Sequence, residues 1–175
     1  PAGQLREMLA SLGAKGKKLG IETNSYGLTH YAGRAVDEAL SGFCELVEAT
    51  DVVNMIRVVK SPAELKYVRK AGALGDAALK AAIRRTKAGA DEGDILAAQQ
   101  GAIFAGGGDY PANEFIIGSA RDALLCRYKS GRRKLSKRDQ LTLEWAGVYR
   151  HYHAAFMRTL IIGKSSKVHL AMHAA

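Results

Sequence analysis

The tetrapeptide Ser61-Pro62-Ala63-Glu64 narrows more than any other feature what this chain can fold into. Ser61 can accept from the backbone N–H of Glu64, and Glu64 can reach back to the N–H of Ser61. Pro62 falls at the first helical position, where a missing N–H costs nothing. Leu65, Val68, Ala71 (or Gly72), Leu79 and Ile83 then continue an apolar stripe at helical spacing, and Gly89 marks a stop. The spacing predicts a long helix reaching at least Lys80, with a domain boundary at residues 57–62. A second helix is predicted over residues 91–105. Asp91 is its N-cap, Glu92 and Asp94 sit in the first turn where the helix dipole favours acids, and Gly106-Gly107-Gly108 ends it.

On either side of these helices the pattern differs. Residues 4–12 have helical spacing and run into a Gly/Lys loop at 13–18. Residues 19–22 read as a short strand, 29–40 as a helix and 47–54 as a second strand, the end of a small α/β domain. After the three glycines the period shortens. Residues 114–118, 123–126, 140–146 and 154–162 read as strands, and 168–175 as the first turns of a helix. Helices followed by strands imply an α+β fold rather than a wound parallel sheet. The expected domains are 1–56 and 57–175.

Composition excludes several classes. Of 175 residues, 47% are hydrophobic and 25% charged, values typical of a globular chain with a sizeable core. No apolar run approaches the roughly 20 residues of a membrane-spanning helix, and no signal peptide is visible at the start. Cys44 and Cys126 have no metal spacing between them and read as reduced thiols, which makes the cytoplasm the expected location. Pro1 and the incipient last helix read as cut ends. The net charge of +9 is concentrated locally, with Arg121, Arg127, Lys129, Arg132, Arg133, Lys134, Lys137 and Arg138 against Asp122. Neither interleaved aromatics nor a nucleic-acid motif accompanies this cluster, so a solvated surface or an acidic partner is favoured over nucleic acid. Neither nucleic acid nor membrane is expected as a partner; a homodimer is the expected assembly.

Few residues combine into chemistry. Gly106-Gly107-Gly108 lacks the strand before it and the Gly-Lys-Ser/Thr after it of a phosphate loop, and reads as a helix terminator. The densest constellation is the stretch from Glu144 to His153, which sets one carboxylate near two imidazoles. On a strand, His151 and His153 would share a face, with Tyr152 on the other. Hydrogen-bonded structural histidines are the competing reading. His169 and His173 stand four apart on a predicted helix, but no acid lies between them as in HExxH, so a plain surface is favoured. Trp145 and Tyr149 are expected in the core.

These residues also carry a resemblance. Arg57-Val58-Val59-Lys60-Ser61-Pro62-Ala63-Glu64-Leu65 resembles the junction between the N-terminal and catalytic domains of creatinases, Xaa-Pro aminopeptidases and prolidases. Residues 141–163, with Leu143-Glu144-Trp145-Ala146-Gly147, Tyr149, Tyr152 and Arg158-Thr159, resemble a strand pair of that family. In the family's peptidases the pair reads as an acid before a Gly, then G-Y, then S-D-I-T-R-T. The resemblance implies an N-terminal α/β domain followed by the first half of a pita-bread fold. The remaining ligands, a His and two Glu, would lie beyond Ala175.

The departures redirect the expected chemistry. By this resemblance the peptidases' first metal-binding Asp falls on Glu144, the second on Ala155 and a catalytic His on Arg127. A methyl group cannot ligate a hard cation. Arginine cannot act as a general base, but its fork suits a carboxylate. The resemblance therefore points to the metal-independent branch, which is similar to creatinase and ectoine hydrolase and splits C–N bonds in small amidino compounds. Glu144 would be base or nucleophile, His151 or His153 a proton carrier, and Arg127, Tyr152 and Arg158 substrate-binding groups, with no metal or other cofactor. An Xaa-Pro peptidase with an altered metal site and a non-catalytic binding protein are the alternatives. In each case the chain alone is expected to be inactive, because half of the site is missing.

Overall fold

The computed structural model describes residues 2–125 and 133–175. They divide into two compact units, one ending at Lys60 and the other beginning at Ser61. Mixed helix and strand is the observed class, as the sequence predicts.

In the first unit α1 (Ala2–Ser11), β1 (Lys18–Ile21), α2 (His30–Leu40), β2 (Glu45–Glu48) and α3 (Thr50–Val58) follow in order. β1 and β2 pair in parallel, with Leu19 opposite Leu46, and α2 provides the crossover. Thr29 caps α2 by accepting from the N–H of Ala32. Leu40, Phe43 and Ala14 form a small core with Leu5, Leu9, Val36 and Leu46 packed against it. The strand expected at 47–54 is confined to Glu45–Glu48, and a helix follows at once. The β-branched residues Val52, Val53 and Ile56 carry the strand signal. Two local features select the helix instead: the Glu48 carboxylate accepts from the N–H of Thr50 at 2.6 Å, and Asp51 sits in the first turn.

The second unit opens with α4 (Pro62–Arg85), whose capping box is complete in both directions. α5 (Glu92–Ala105) starts at its Asp91 cap, which accepts from the N–H of Gly93, and stops at Gly106. β3 (Ile116–Ser119), β4 (Asp139–Tyr149) and β5 (Tyr152–Ile162) form an antiparallel sheet in that order, and α6 (Lys167–Ala174) closes the chain. Of the strand expected at 123–126, residues 123–125 lie instead in a 3-10 turn, Ala120–Leu125, entered through Ala120 at a φ of 49°. Cys126 lies outside the described residues.

One face of the sheet is covered. Leu141, Leu143 and Trp145 of β4 and Ile117 of β3 pack with Leu74, Ala78, Ala82, Ile95 and Ile103 of the two long helices. Contact between α4 and β4 is very close. Trp145 donates its indole N–H to the carbonyl of Gly75 at 3.0 Å and stacks on Phe156 with centroids 5.3 Å apart. A Cβ on Gly147 would lie 1.9 Å from the carbonyl oxygen of Ala71. A Cβ on Gly75 would lie 2.2 Å from the Phe156 ring.

A polar knot ties the start of α5 to the sheet. Glu92, fully buried, accepts from the hydroxyl of Ser119 at 2.5 Å and from the N–H of Arg133 at 3.2 Å. The guanidinium of Arg133 donates to Ser119 and to Asp139. Burial pushes the Asp139 carboxyl up, but the N–H of Ser136, the Arg133 side chain and the N–H of Gln140 outweigh it and hold the group below its ordinary value. Farther along α5, Gln99 is fully buried, and neither of its amide atoms is hydrogen-bonded among the described residues.

β4 and β5 join through Arg150 and His151 alone, with Tyr149 opposite Tyr152. Both turn residues have positive φ, 51° and 64°, the combination of a type I′ turn that Asn-Gly adopts without strain.

Four outcomes follow. Gly147→Ala should lower the urea-unfolding stability of the second unit by about 3 kcal/mol or more, since backbone must move. Gly72→Ala, on the facing helix α4, has open space around it and should raise stability by about 0.5–1 kcal/mol. His151→Gly should likewise stabilise by about 0.5–1 kcal/mol, read from the same transition, by relieving the turn. In the first unit, Glu48 is held down to about 2 by the hydroxyl of Thr23, then by the hydroxyl and N–H of Thr50. A depressed carboxyl stabilises fully above its unfolded value near 4.5 and loses that contribution as pH falls toward about 2. Amide spectra should therefore show α3 loosening across that window, with Glu48→Gln flattening the response.

Candidate functional site

Cross-strand partners point to the same side of a sheet, so the register of β4 and β5 sorts every candidate by face. Leu141 with Leu160, Leu143 with Arg158, Trp145 with Phe156, Gly147 with Ala154 and Tyr149 with Tyr152 form the rows that face the helices. Thr142 with Thr159, Glu144 with Met157, Ala146 with Ala155 and Val148 with His153 form the opposite rows. Ile116 of β3 joins them beside Glu144. This second face is open at its β5 edge, where Ala155, Met157 and Thr159 are exposed.

Glu144 stands half-buried in the middle of the open face. Ala155 is its diagonal neighbour across the pair, so the two positions matched to the peptidases' metal-binding acids do lie together on one face. What they present is one carboxylate and one methyl group. A bridged pair of hard cations needs carboxylates from both. Nor is there, among the described residues, any group of three or more His, Cys, Asp or Glu side chains placed to hold a metal ion. The donor set of this strand pair does not fit a two-metal centre.

The remaining candidates separate. His153 shares the open face with Glu144 but is level with Val148, four residues along β4, which at the rise of a strand is roughly 13 Å away. Its ring is engaged on both sides: Nε2 accepts from the N–H of Ala112 at 2.9 Å, and Nδ1 lies 2.8 Å from the carbonyl oxygen of His151. His151 is not on the strand. It forms half of the hairpin turn, exposed, with its backbone N–H donating to Asp109, so the face-sharing expected of the two histidines does not occur. A positive φ there breaks the alternation that the expectation relied on.

Tyr152 and Arg158 occupy rows on the helix side, opposite to Glu144. Tyr152 donates its hydroxyl to Glu64 Oε1 at 2.9 Å, and the other oxygen of that carboxylate accepts from the N–H of Ser61 at 2.7 Å. Its ring lies 5.6 Å from that of Tyr67. Arg158 is exposed and donates to the carbonyl of Met157. Arg127 lies outside the described residues. His169 and His173 lie on α6, where His169 completes the capping box with Ser166. The histidine contact to Ala112 and the buried Glu92–Ser119–Arg133 knot were not legible in the sequence, because each joins side chains to segments far away in it.

Comparison with known proteins shows the family and the fold. The chain is similar to an Xaa-Pro dipeptidase of Pyrococcus horikoshii, 26% identical over 152 residues that make up 86% of this chain and 42% of that protein. It is also similar to the ectoine hydrolase of Halomonas elongata, 25% identical over 157 residues, 83% of this chain and 39% of that protein. Among solved structures, the X-Pro aminopeptidase of Thermotoga maritima superposes with a TM-score of 0.84 at 20% identity, covering 99% of this chain and 47% of the other. The shared fold is the pita-bread fold of the prolidases and aminopeptidases P, and the chain spans less than half the length of these relatives. With residues 66–175 matching its pattern, the chain belongs to metallopeptidase family M24, within the creatinase and Xaa-Pro peptidase group.

Proposed function

We propose that this chain carries part of a hydrolase that splits a C–N bond in a small amidino or peptide-like compound, with no two-metal centre on the strand pair. The observation supporting this reading is the juxtaposition of Glu144 and Ala155 on the open face of the sheet. Where two acids would clamp cations, one carboxylate stands beside a methyl, and that carboxylate is a group able to take a proton. In the proposed reaction Glu144 removes a proton from water as its oxygen attacks the electrophilic carbon. The proton then passes to the departing nitrogen as the C–N bond breaks. His153 does not serve as the direct partner in this step, because it is too far along the strand and both ring nitrogens are occupied. The similarity to an ectoine hydrolase is in keeping with this reading.

The similarity to Xaa-Pro dipeptidases favours a second reading, a peptidase whose metal is held by a changed set of ligands. The full-length protein separates the two. Under the first, it hydrolyses creatine, ectoine or a related small C–N compound, chelator leaves the rate unchanged, and elemental analysis finds well under one equivalent of manganese, cobalt or zinc. Glu144→Gln should then lower turnover by about 100-fold or more, the weight of a general base. Near two equivalents of metal together with chelator-sensitive cleavage of an Xaa-Pro dipeptide would overturn the first reading and establish the second.

A further inference from the structure

The ring of His153 joins two segments that are otherwise far apart in sequence. On one side is the hairpin turn; on the other is the strap formed by residues 109–114, which leads from the end of α5 into β3. An amide N–H can only donate, so the Nε2 that meets Ala112 carries no proton. A carbonyl oxygen can only accept, so the Nδ1 that meets His151 carries one. The two partners thus admit a single form of the ring, neutral with its proton on Nδ1. Adding a proton to Nε2 would set two donors against each other 2.9 Å apart.

The strap has other attachments, and none of them depends on this ring. The N–H of Asp109 donates to the carbonyl of Val148 at 3.0 Å, and the Asp109 carboxylate accepts from the N–H of His151 at 3.2 Å. Phe115 and Ile116 are buried where the strap enters β3. Between these anchors Tyr110, Ala112, Asn113 and Glu114 are exposed, and the bond at Ala112 pins that stretch to the sheet. His153 belongs to the same face as Glu144, and Val148 beside it is fully buried, so the strap runs along the rim of that face.

We propose that His153 is a protonation-controlled latch: neutral, it pins Ala112 and the strap along the rim of the open sheet face, and protonated it lets the strap go. The titratable and charged groups on the segments meeting at the ring are Asp109, Tyr110 and Glu114 from the strap, Arg150 and His151 from the turn, and Tyr152 beside it on β5. Release affects residues 110–114 while leaving Asp109 attached.

Nuclear magnetic resonance on the chain as it stands tests this. At about pH 8 the His153 ring should carry its proton on Nδ1. Between about pH 8 and 5.5, the hydrogen-exchange protection of the Ala112 amide should fall at least about fivefold more than that of the Asp109 amide, the weight of one net hydrogen bond. In His153→Gln, whose amide oxygen accepts at any of these pH values, the difference between the two amides should no longer change with pH. Three results would overturn the latch: a proton on Nε2 at pH 8, parallel loss of protection at Ala112 and Asp109, or the same pH response in the Gln variant. The first two are read on the unaltered chain, so the test does not depend on the variant folding.

Discussion

The approach of α4 to β4 is the constraint on which the second unit depends. At Gly147 the helix backbone comes so near the strand that no side chain can stand between them. Trp145 then uses the carbonyl of Gly75 as its acceptor, and Phe156 fills the space that Gly75 leaves. This contact fixes the rotation of β4 about its own axis. Once the odd-numbered residues 141 to 147 are committed to the helices, Glu144 must emerge on the opposite side. The position of the candidate catalytic carboxylate is thus set from the other face of the sheet, by two glycines and an indole.

That division of faces also reassigns roles. Tyr152 and Arg158 sit within the matched motif, yet their rows turn them toward the helix layer. Tyr152 works there as a tether for Glu64. A motif records which residues recur together along a strand, and a strand sends alternate residues to opposite sides. Half of any strand motif therefore serves packing even when the other half serves chemistry.

Much of the architecture was legible in advance for local reasons. The Ser61–Glu64 box, the Asp91 cap and the Gly106 stop are satisfied by residues within one turn of each other, and all three form as expected. Strand existence in β4 and β5 was legible from their apolar content, and the juxtaposition of 144 with 155 follows from their spacing about a two-residue turn. Reading failed where distant or competing interactions decide. Residues 50–58 have β-branched content but no strand to pair with beyond Glu48, and a carboxylate capping Thr50 turns them into helix. His151 left the strand because the hairpin needed two residues of positive φ, which the local composition, without glycine, does not announce. The occupation of both nitrogens of His153 was equally hidden, since Ala112 lies 41 residues away.

The double use of Glu64 has a consequence for the order in which the unit assembles. One oxygen secures the first turn of α4 with a partner three residues off, and the other waits for a hydroxyl 88 residues downstream. During synthesis the helix can therefore begin as soon as residues 61–64 and the following turns have emerged, long before the sheet exists to receive it. Loop-closure entropy makes the distant bond the late one. An early, correctly capped helix with its apolar stripe unmet is the species that a nascent chain of this sequence must carry until the hairpin arrives, and Tyr152 is the residue by which the hairpin finds the end of the helix already set to receive it.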